Sequence, residues 1–191
     1  MTPLALSGFL SRLRGKLAGF ARDKRGVSAV EFAIILPFMA ILYLGGTAVT
    51  QGIIIKRKVV LVTHTVGDLV ARDNNITNAE VTAIFDAAKA VFAPYGWSNL
   101  LKIKVSSVNI NAAGTATVGW GEALQDTARA PNSSVTLPAG LNAPSTSIIW
   151  TEVSYVYTPP VGGAFTGGSV NLRDQLYIRP RLVTTITRSA N

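Results

Sequence analysis

The longest apolar run of the chain starts after Glu31, and the next charged residue is Lys56. A helix over this run measures roughly 36 Å, which exceeds the hydrocarbon core of a bilayer, about 30 Å thick. We therefore predict one transmembrane helix over 27–55. Apolar positions at helical spacing continue over 56–72, so the helix is expected to extend beyond the membrane until Asp73 and two asparagines interrupt it.

Downstream, the pattern predicts a second helix and then strands. Thr77 and Glu80 have the spacing of a capping box, so a helix is expected over 78–92, before Pro94. Apolar and polar residues then alternate with the period of a half-buried strand. The predicted strands cover 101–110, 115–120, 147–157 and 175–186. In the last of them, Pro180 indicates a bulge or an edge position.

These elements predict an α+β fold. The long N-terminal helix continues into a domain over 56–191, where an antiparallel sheet of about four strands packs on the helices. A chain of 191 residues suits one modest domain plus an anchor. Its hydrophobic share of 48% is high for a soluble protein, and the apolar run accounts for much of it.

Charge is concentrated at the N-terminus. The leader, 1–26, holds six basic residues and one acid, whereas the rest holds twelve and nine. The flank richer in Lys and Arg stays in the cytoplasm, so 56–191 is predicted to be periplasmic or in a pilus, anchored in a bacterial inner membrane. The cluster 56–58 on the other flank argues weakly against this orientation. Because a basic tail beside a membrane span typically sets topology, nucleic acid is not expected as a partner.

Glu31 lies at the edge of the apolar run, where a carboxylate is costly. A charged residue in a membrane segment is by default a candidate for function. The alternative is an interfacial acid in the first helical turn, where the helix dipole favours negative charge.

The residues around Glu31 form a specific string. Gly26 ends the basic leader, Glu31 follows five residues later, and aromatic Phe32 comes next, before the segment that contains Pro37. This string resembles the signal of type IV prepilins. It resembles most closely the TadE-like (TadE/TadG) minor pilins of tight-adherence (Flp, type IVb) pilus systems, whose mark is G-x-x-x-x-E followed by an aromatic residue. Major Flp pilins usually have tyrosine in place of Phe32 and are much shorter, so the resemblance favours a minor pilin or assembly component.

The resemblance implies that a prepilin peptidase cleaves between Gly26 and Val27. Glycine at this position offers no side chain to the protease and lets the backbone approach closely. Other pilins and the pilus assembly platform are the implied partners. Among packed pilin helices, Glu31 would pair with the α-amino group of a neighbour's Val27, a pair that low dielectric strengthens and desolvation partly offsets.

Two further features of the span are candidates for helix packing. Pro37 removes one backbone donor and is predicted to kink the helix, which membrane helices tolerate. Gly45 and Gly46 form a small-residue face on which another helix can approach closely. Small residues that simply face lipid are the alternative for these glycines.

Two alternatives to the pilin interpretation stay open. A signal-anchored surface binding protein or adhesin would keep the leader uncleaved. A conventional secretory signal would be cut near Ala48, although its apolar region is normally shorter than this one.

No residue pattern points to an enzyme, a cofactor or a metal. The chain has no cysteine, and His64 is its only histidine. Thiolate sites are therefore excluded, and a histidine-based metal cluster is not expected. The glycine pairs within 162–168 lack the strand–loop–helix context and the following lysine of a phosphate loop.

Overall fold

The structure is a computed structural model that describes residues 25–159 and 168–189. Two compact units divide the chain between Gly46 and Thr47. Most of the predicted leader, residues 1–24, lies outside the described residues. The second unit begins before the predicted domain start at 56, because the helix residues preceding Lys56 already contact the domain, as shown below.

One helix, α1 (Arg25–Ala71), covers the predicted span and its extension. Pro37 lies inside α1, and the helix continues through it. Beyond the apolar run, α1 buries a stripe of residues three or four apart, which is the spacing of one helix face. These residues are Ile55, Val59, Val62, Val66 and Val70. The helix ends just before Asp73, as the sequence predicts.

The second helix, α2 (Asn78–Phe92), has the predicted bounds and the predicted capping box. The backbone N–H of Thr77 donates to Glu80 Oε2 at 2.7 Å, and the N–H of Glu80 donates to Thr77 Oγ1 at 3.3 Å. These two bonds satisfy backbone donors that a helix start leaves without intrahelical acceptors. A short 3₁₀ turn, Ala93–Tyr95, follows with proline inside it.

The main sheet has four antiparallel strands in the order β3-β2-β4-β5, so the α+β prediction is confirmed. Its strands are β2 (Leu101–Ile110), β3 (Ala116–Leu124), β4 (Thr146–Tyr157) and β5 (Val170–Ile178). Two short strands, β1 (Asn75–Ile76) and β6 (Thr187–Arg188), pair in parallel and form a separate small sheet. The sequence analysis did not predict this second sheet.

The predicted strand over 175–186 is wrong at both ends. Strand β5 starts at Val170, and it ends at Ile178 because Pro180 has no N–H to continue a ladder. Its inward positions include Asp174, a charged residue that hides the apolar alternation in the sequence. The strand predicted over 115–120 also extends further, through Leu124.

The two faces of the main sheet differ. One face joins α1 and α2 in a core that includes Leu101, Ile103 and Tyr155. On the other face, which we call the outer face, one end is apolar and is covered by Leu137 from the loop between β3 and β4. The remaining end of the outer face is polar, and it forms the groove described below.

Candidate functional site

The predicted processing residues lie in the first two described turns of α1. The bond between Gly26 and Val27 belongs to this helix, next to Arg25, the first described residue. Glycine costs a helix about 1 kcal/mol relative to alanine, so Gly26 weakens the helix beside the predicted cleavage bond. Val27 and Phe32 are 55% and 63% exposed.

Glu31 is exposed, and none of the ion pairs formed by the described residues includes its carboxylate. Residues four apart share one helix face, so Val27 and Ile35 flank Glu31 one turn away on either side. An amino group freed at Val27 would therefore lie on the face that carries the carboxylate. The structure thus places the predicted cleavage bond and Glu31 within two turns of one helix.

Over 32–46, α1 presents an exposed apolar helical surface. Within the described residues, α1 is the one helix long and apolar enough to cross a membrane. A Cβ added at Gly45 or Gly46 would meet nothing within 4 Å. Packing within the described chain therefore does not require glycine at either position, and both predicted explanations, helix approach and lipid contact, stay open.

Contacts with the domain begin within the predicted span, before its C-terminal end. The Tyr157 hydroxyl donates to the backbone carbonyl of Ala48 at 2.8 Å, and a Cβ added at Gly52 would lie 3.3 Å from the Tyr157 ring. Ile55 is only 2% exposed. The sheet therefore covers part of α1 from Ala48 onward, and the residues up to Thr47 remain exposed.

Two of the three cations that follow the apolar run serve contacts within the domain. Lys56 Nζ lies 3.5 Å from an oxygen of Asp174 and donates to the backbone carbonyl of Arg173. Lys58 Nζ donates to the backbone carbonyl of Val91 at 2.6 Å. These contacts give the 56–58 cluster a role in folding, so its charge need not be a topology signal.

A polar groove of about 620 Å³, which the sequence analysis missed, opens on the outer face of the sheet. Lys104 pairs with Asp126 at 3.3 Å, and Arg129 pairs with Glu152. Burial raises the pKa of Asp126, but the Thr127 N–H, Lys104 and Lys102 together outweigh it and lower the pKa below its ordinary value. The lining residues are Lys102, Lys104, Asp126, Glu152, Val153, Ser154, Asn171, Arg173, Asp174 and Gln175.

An aromatic pair supports one wall of this region. The Arg129 guanidinium lies 3.6 Å from the centre of the Trp150 ring, which stacks on Tyr177 at 5.2 Å. A cation over an indole face is held by electrostatic attraction, so Arg129 is fixed by the ring and by its carboxylate partner together. The groove escaped prediction because the strand start at 175 left Asn171 and Arg173 outside any predicted strand.

The described residues bring no metal-binding cluster together around the single histidine. His64 is exposed on α1, and the described residues contain no group of three or more potential metal ligands. That the chain is not an enzyme stays a prediction.

Neither a family model nor a curated protein nor a solved structure matches the chain. Any functional assignment therefore rests on the residues and geometry of the chain itself.

Proposed function

We propose that the chain is a minor pilin or assembly component of the tight-adherence type, which a prepilin peptidase cuts after Gly26. The leader stays in the cytoplasm, α1 crosses the bacterial inner membrane, and the domain that begins at Thr47 lies in the periplasm or the pilus. Its role is structural. The helix packs against other pilins and the assembly platform, and the domain supplies specific contacts.

The position of Glu31 carries the proposal. If lipid surrounds α1 only up to Thr47, a span of about 30 Å reaches back to about Val27. The Glu31 carboxylate then lies about one turn, roughly 6 Å, inside the hydrocarbon. A carboxylate at this depth needs a counter-charge, and none comes from the described residues.

Cleavage after Gly26 supplies the missing charge. In the uncut chain, Val27 contributes an uncharged backbone amide to α1. In the cut chain it contributes an ammonium group on the face that carries Glu31. Such a pair can form with the Val27 amine of a neighbouring copy, so processing would create the contact on which assembly depends.

The N-terminus of the membrane-purified protein tests this proposal, by intact mass and N-terminal sequencing. A chain that starts at Val27 supports it. A chain that starts at Met1 contradicts cleavage, and one that starts near Val49 identifies a secretory signal instead.

The isosteric variant Glu31→Gln separates processing from assembly. We expect it to be cut like the native chain and to be lost from the sheared pilus fraction. Asp86→Asn removes an exposed carboxylate outside the span and serves as the matched control, which should assemble normally. Normal assembly of Glu31→Gln would contradict the proposed charge pair.

The polar groove favours a second candidate, an uncleaved surface binding protein. That protein would keep its leader, and removal of the groove cations would abolish surface binding while leaving any pili intact. The minor pilin makes the opposite prediction for Glu31→Gln, since pili are lost there while export continues.

A further inference from the structure

The polar groove contains a row of three residues that crosses three adjacent strands. Lys102 of β2 is the register partner of Ser154 of β4, and Ser154 is the partner of Arg173 of β5. All three line the groove. Neighbouring strands lie about 4.8 Å apart, so the two cations start from backbone positions about 10 Å apart, with a hydroxyl between them. We call this set the cation row.

The cation row forms no ion pair within the described residues, in contrast to the row beside it. In the neighbouring row Lys104 faces Glu152, and both belong to the ion pairs already described. No ion pair of the described residues includes Lys102 or Arg173, although Lys102 lies near enough to Asp126 to lower the pKa of that carboxyl. The lining as a whole balances its charges, with Lys102, Lys104 and Arg173 against Asp126, Glu152 and Asp174, so the positive potential is local to the cation row.

An amide beside the cation row orients one of its cations. With its amide oxygen facing the guanidinium, Asn171 accepts from Arg173 Nε at 3.2 Å and from Nη2 at 3.0 Å. This leaves the amide N–H groups of Asn171, the second terminal nitrogen of Arg173 and the Lys102 ammonium as donors. A planar guanidinium in fixed orientation is well suited to bind a carboxylate.

The part of the groove beside the cation row carries acceptors. The carboxylates of Glu152 and Asp126 keep free lone pairs after their ion pairs form, because a carboxylate offers about four acceptor sites. A ligand that contacts both parts of the groove carries one anionic group and several hydroxyls. The groove volume lies within the range of small-ligand sites, roughly 300–1,000 Å³, and its polar lining does not suit an apolar ligand.

We propose that the groove is a binding site for an acidic saccharide, whose carboxylate lies on the cation row and whose hydroxyls reach Glu152 and Asp126. The site is independent of the proposed pilin function, since it would exist in a cleaved or an uncleaved chain.

Ligand-observed saturation-transfer NMR on the full chain in detergent micelles tests the proposal, with glucuronate as the probe and glucose as the neutral comparator. We expect saturation transfer to glucuronate and little to glucose, and a weaker signal as salt rises, because salt screens exposed charges. Equal transfer to both sugars, or none to glucuronate, would overturn the site. Binding of inorganic phosphate without glucuronate would overturn the assignment to a saccharide.

Matched variants locate the site. The double variant Lys102→Gln/Arg173→Gln should weaken glucuronate binding at least tenfold. Arg57→Gln/Arg179→Gln removes the same charge from exposed positions outside the groove lining and should leave binding unchanged. All four side chains belong to exposed residues, so both variants should fold, which far-UV circular dichroism verifies. Retained binding in the first variant would refute the cation row as the anion site.

Discussion

The Tyr157 hydroxyl donates a hydrogen bond to the Ala48 carbonyl at 2.8 Å, between the last residue of β4 and the helix α1. Burial raises the pKa of this tyrosine, so the hydroxyl stays a donor at neutral pH. Gly52 lies one turn beyond Ala48, where the tyrosine ring packs so closely that a side chain would crowd it. This contact marks the point on α1 where the sheet begins to cover the helix.

Removing this contact should loosen the junction between α1 and the sheet. Tyr157→Phe loses one hydrogen bond, which we expect to lower the free energy of unfolding by about 0.5–1.5 kcal/mol. Tyr157→Ala also leaves a cavity and should cost about 3–5 kcal/mol. Denaturant unfolding of the full chain in micelles, followed by tryptophan fluorescence, measures both. Tyr43→Phe, at a position 70% exposed, is the control; equal losses in Tyr157→Phe and the control would refute the role of the bond.

At Gly67, α1 packs closely against the sheet. A Cβ added there would lie 2.9 Å from Leu176 Cδ2 and 3.2 Å from Thr151 Oγ1. Gly67→Ala should therefore destabilise the domain by about 1–3 kcal/mol through overpacking, despite the higher helix propensity of alanine. Gly45→Ala has space for its methyl group and should leave unfolding of the domain unchanged. If Gly67→Ala stabilises the domain, the close approach is not a constraint.

The sequence predicts those features that local rules control. The capping residues Thr77 and Glu80 correctly predicted the start of α2. The regular alternation of apolar and polar residues predicted both ends of β2 correctly. Features that depend on distant partners escaped prediction. The inward Asp174 hid the start of β5, because its partner Lys56 comes from α1. The groove could not be predicted for the same reason, because residues from three separate strands form it. The motif around Glu31 could be recognised, because its residues are consecutive in the sequence.

The capping box of α2 should make stability sensitive to acid. A hydrogen bond from the Thr77 N–H, and then one from its hydroxyl, lower the Glu80 pKa below its ordinary value of 4.5. The folded state thus binds this proton less tightly than the unfolded state does. The contribution to stability is complete above about pH 4.5 and is lost as the pH falls through the lower pKa of the folded state.

The variant Glu80→Gln tests this pH dependence, because glutamine does not titrate. Urea midpoints measured between pH 3 and pH 7 should fall less steeply in Glu80→Gln than in the native chain. Thr77→Ala keeps the carboxylate but removes one of its hydrogen-bond donors. The pH dependence of its urea midpoint should therefore lie between those of the native chain and Glu80→Gln. Identical slopes in all three proteins would rule out a contribution from this cap.

Arg188 connects the small sheet to the main sheet. Its Nε lies 2.9 Å from Glu122 Oε1, and its terminal nitrogens contact Asn78 Oδ1 and, at 3.2 Å, the carbonyl of Ile76. The Arg188 side chain is only 17% exposed. Because truncation leaves Glu122 partly buried without its cation, Arg188→Ala should lower the free energy of unfolding by about 1–3 kcal/mol.

The double variant Arg188→Met/Glu122→Leu separates the charge pair from packing. Replacing both partners with apolar groups should cost less than Arg188→Ala alone, because no unpaired charge is left. Thermal unfolding by circular dichroism is sufficient to rank the variants. A double variant less stable than Arg188→Ala would show that the pair itself stabilises the fold.

The orientation of α1 should depend on the leader and not on the cations that follow the apolar run. Lys56 and Lys58 are held by Asp174 and by the Val91 carbonyl, so replacing 56–58 with glutamines should leave orientation unchanged, at some loss of domain stability. Replacing the basic residues of the leader with glutamines should instead produce a population of inverted chains.

A single reporter thiol measures this orientation. Because the chain has no cysteine, Thr127→Cys on the exposed loop provides that thiol. A membrane-impermeant maleimide should label it in intact spheroplasts of the native and 56–58 variants, and much less in the leader variant. Loss of labelling in the 56–58 variant with the leader intact would show that these cations set the topology.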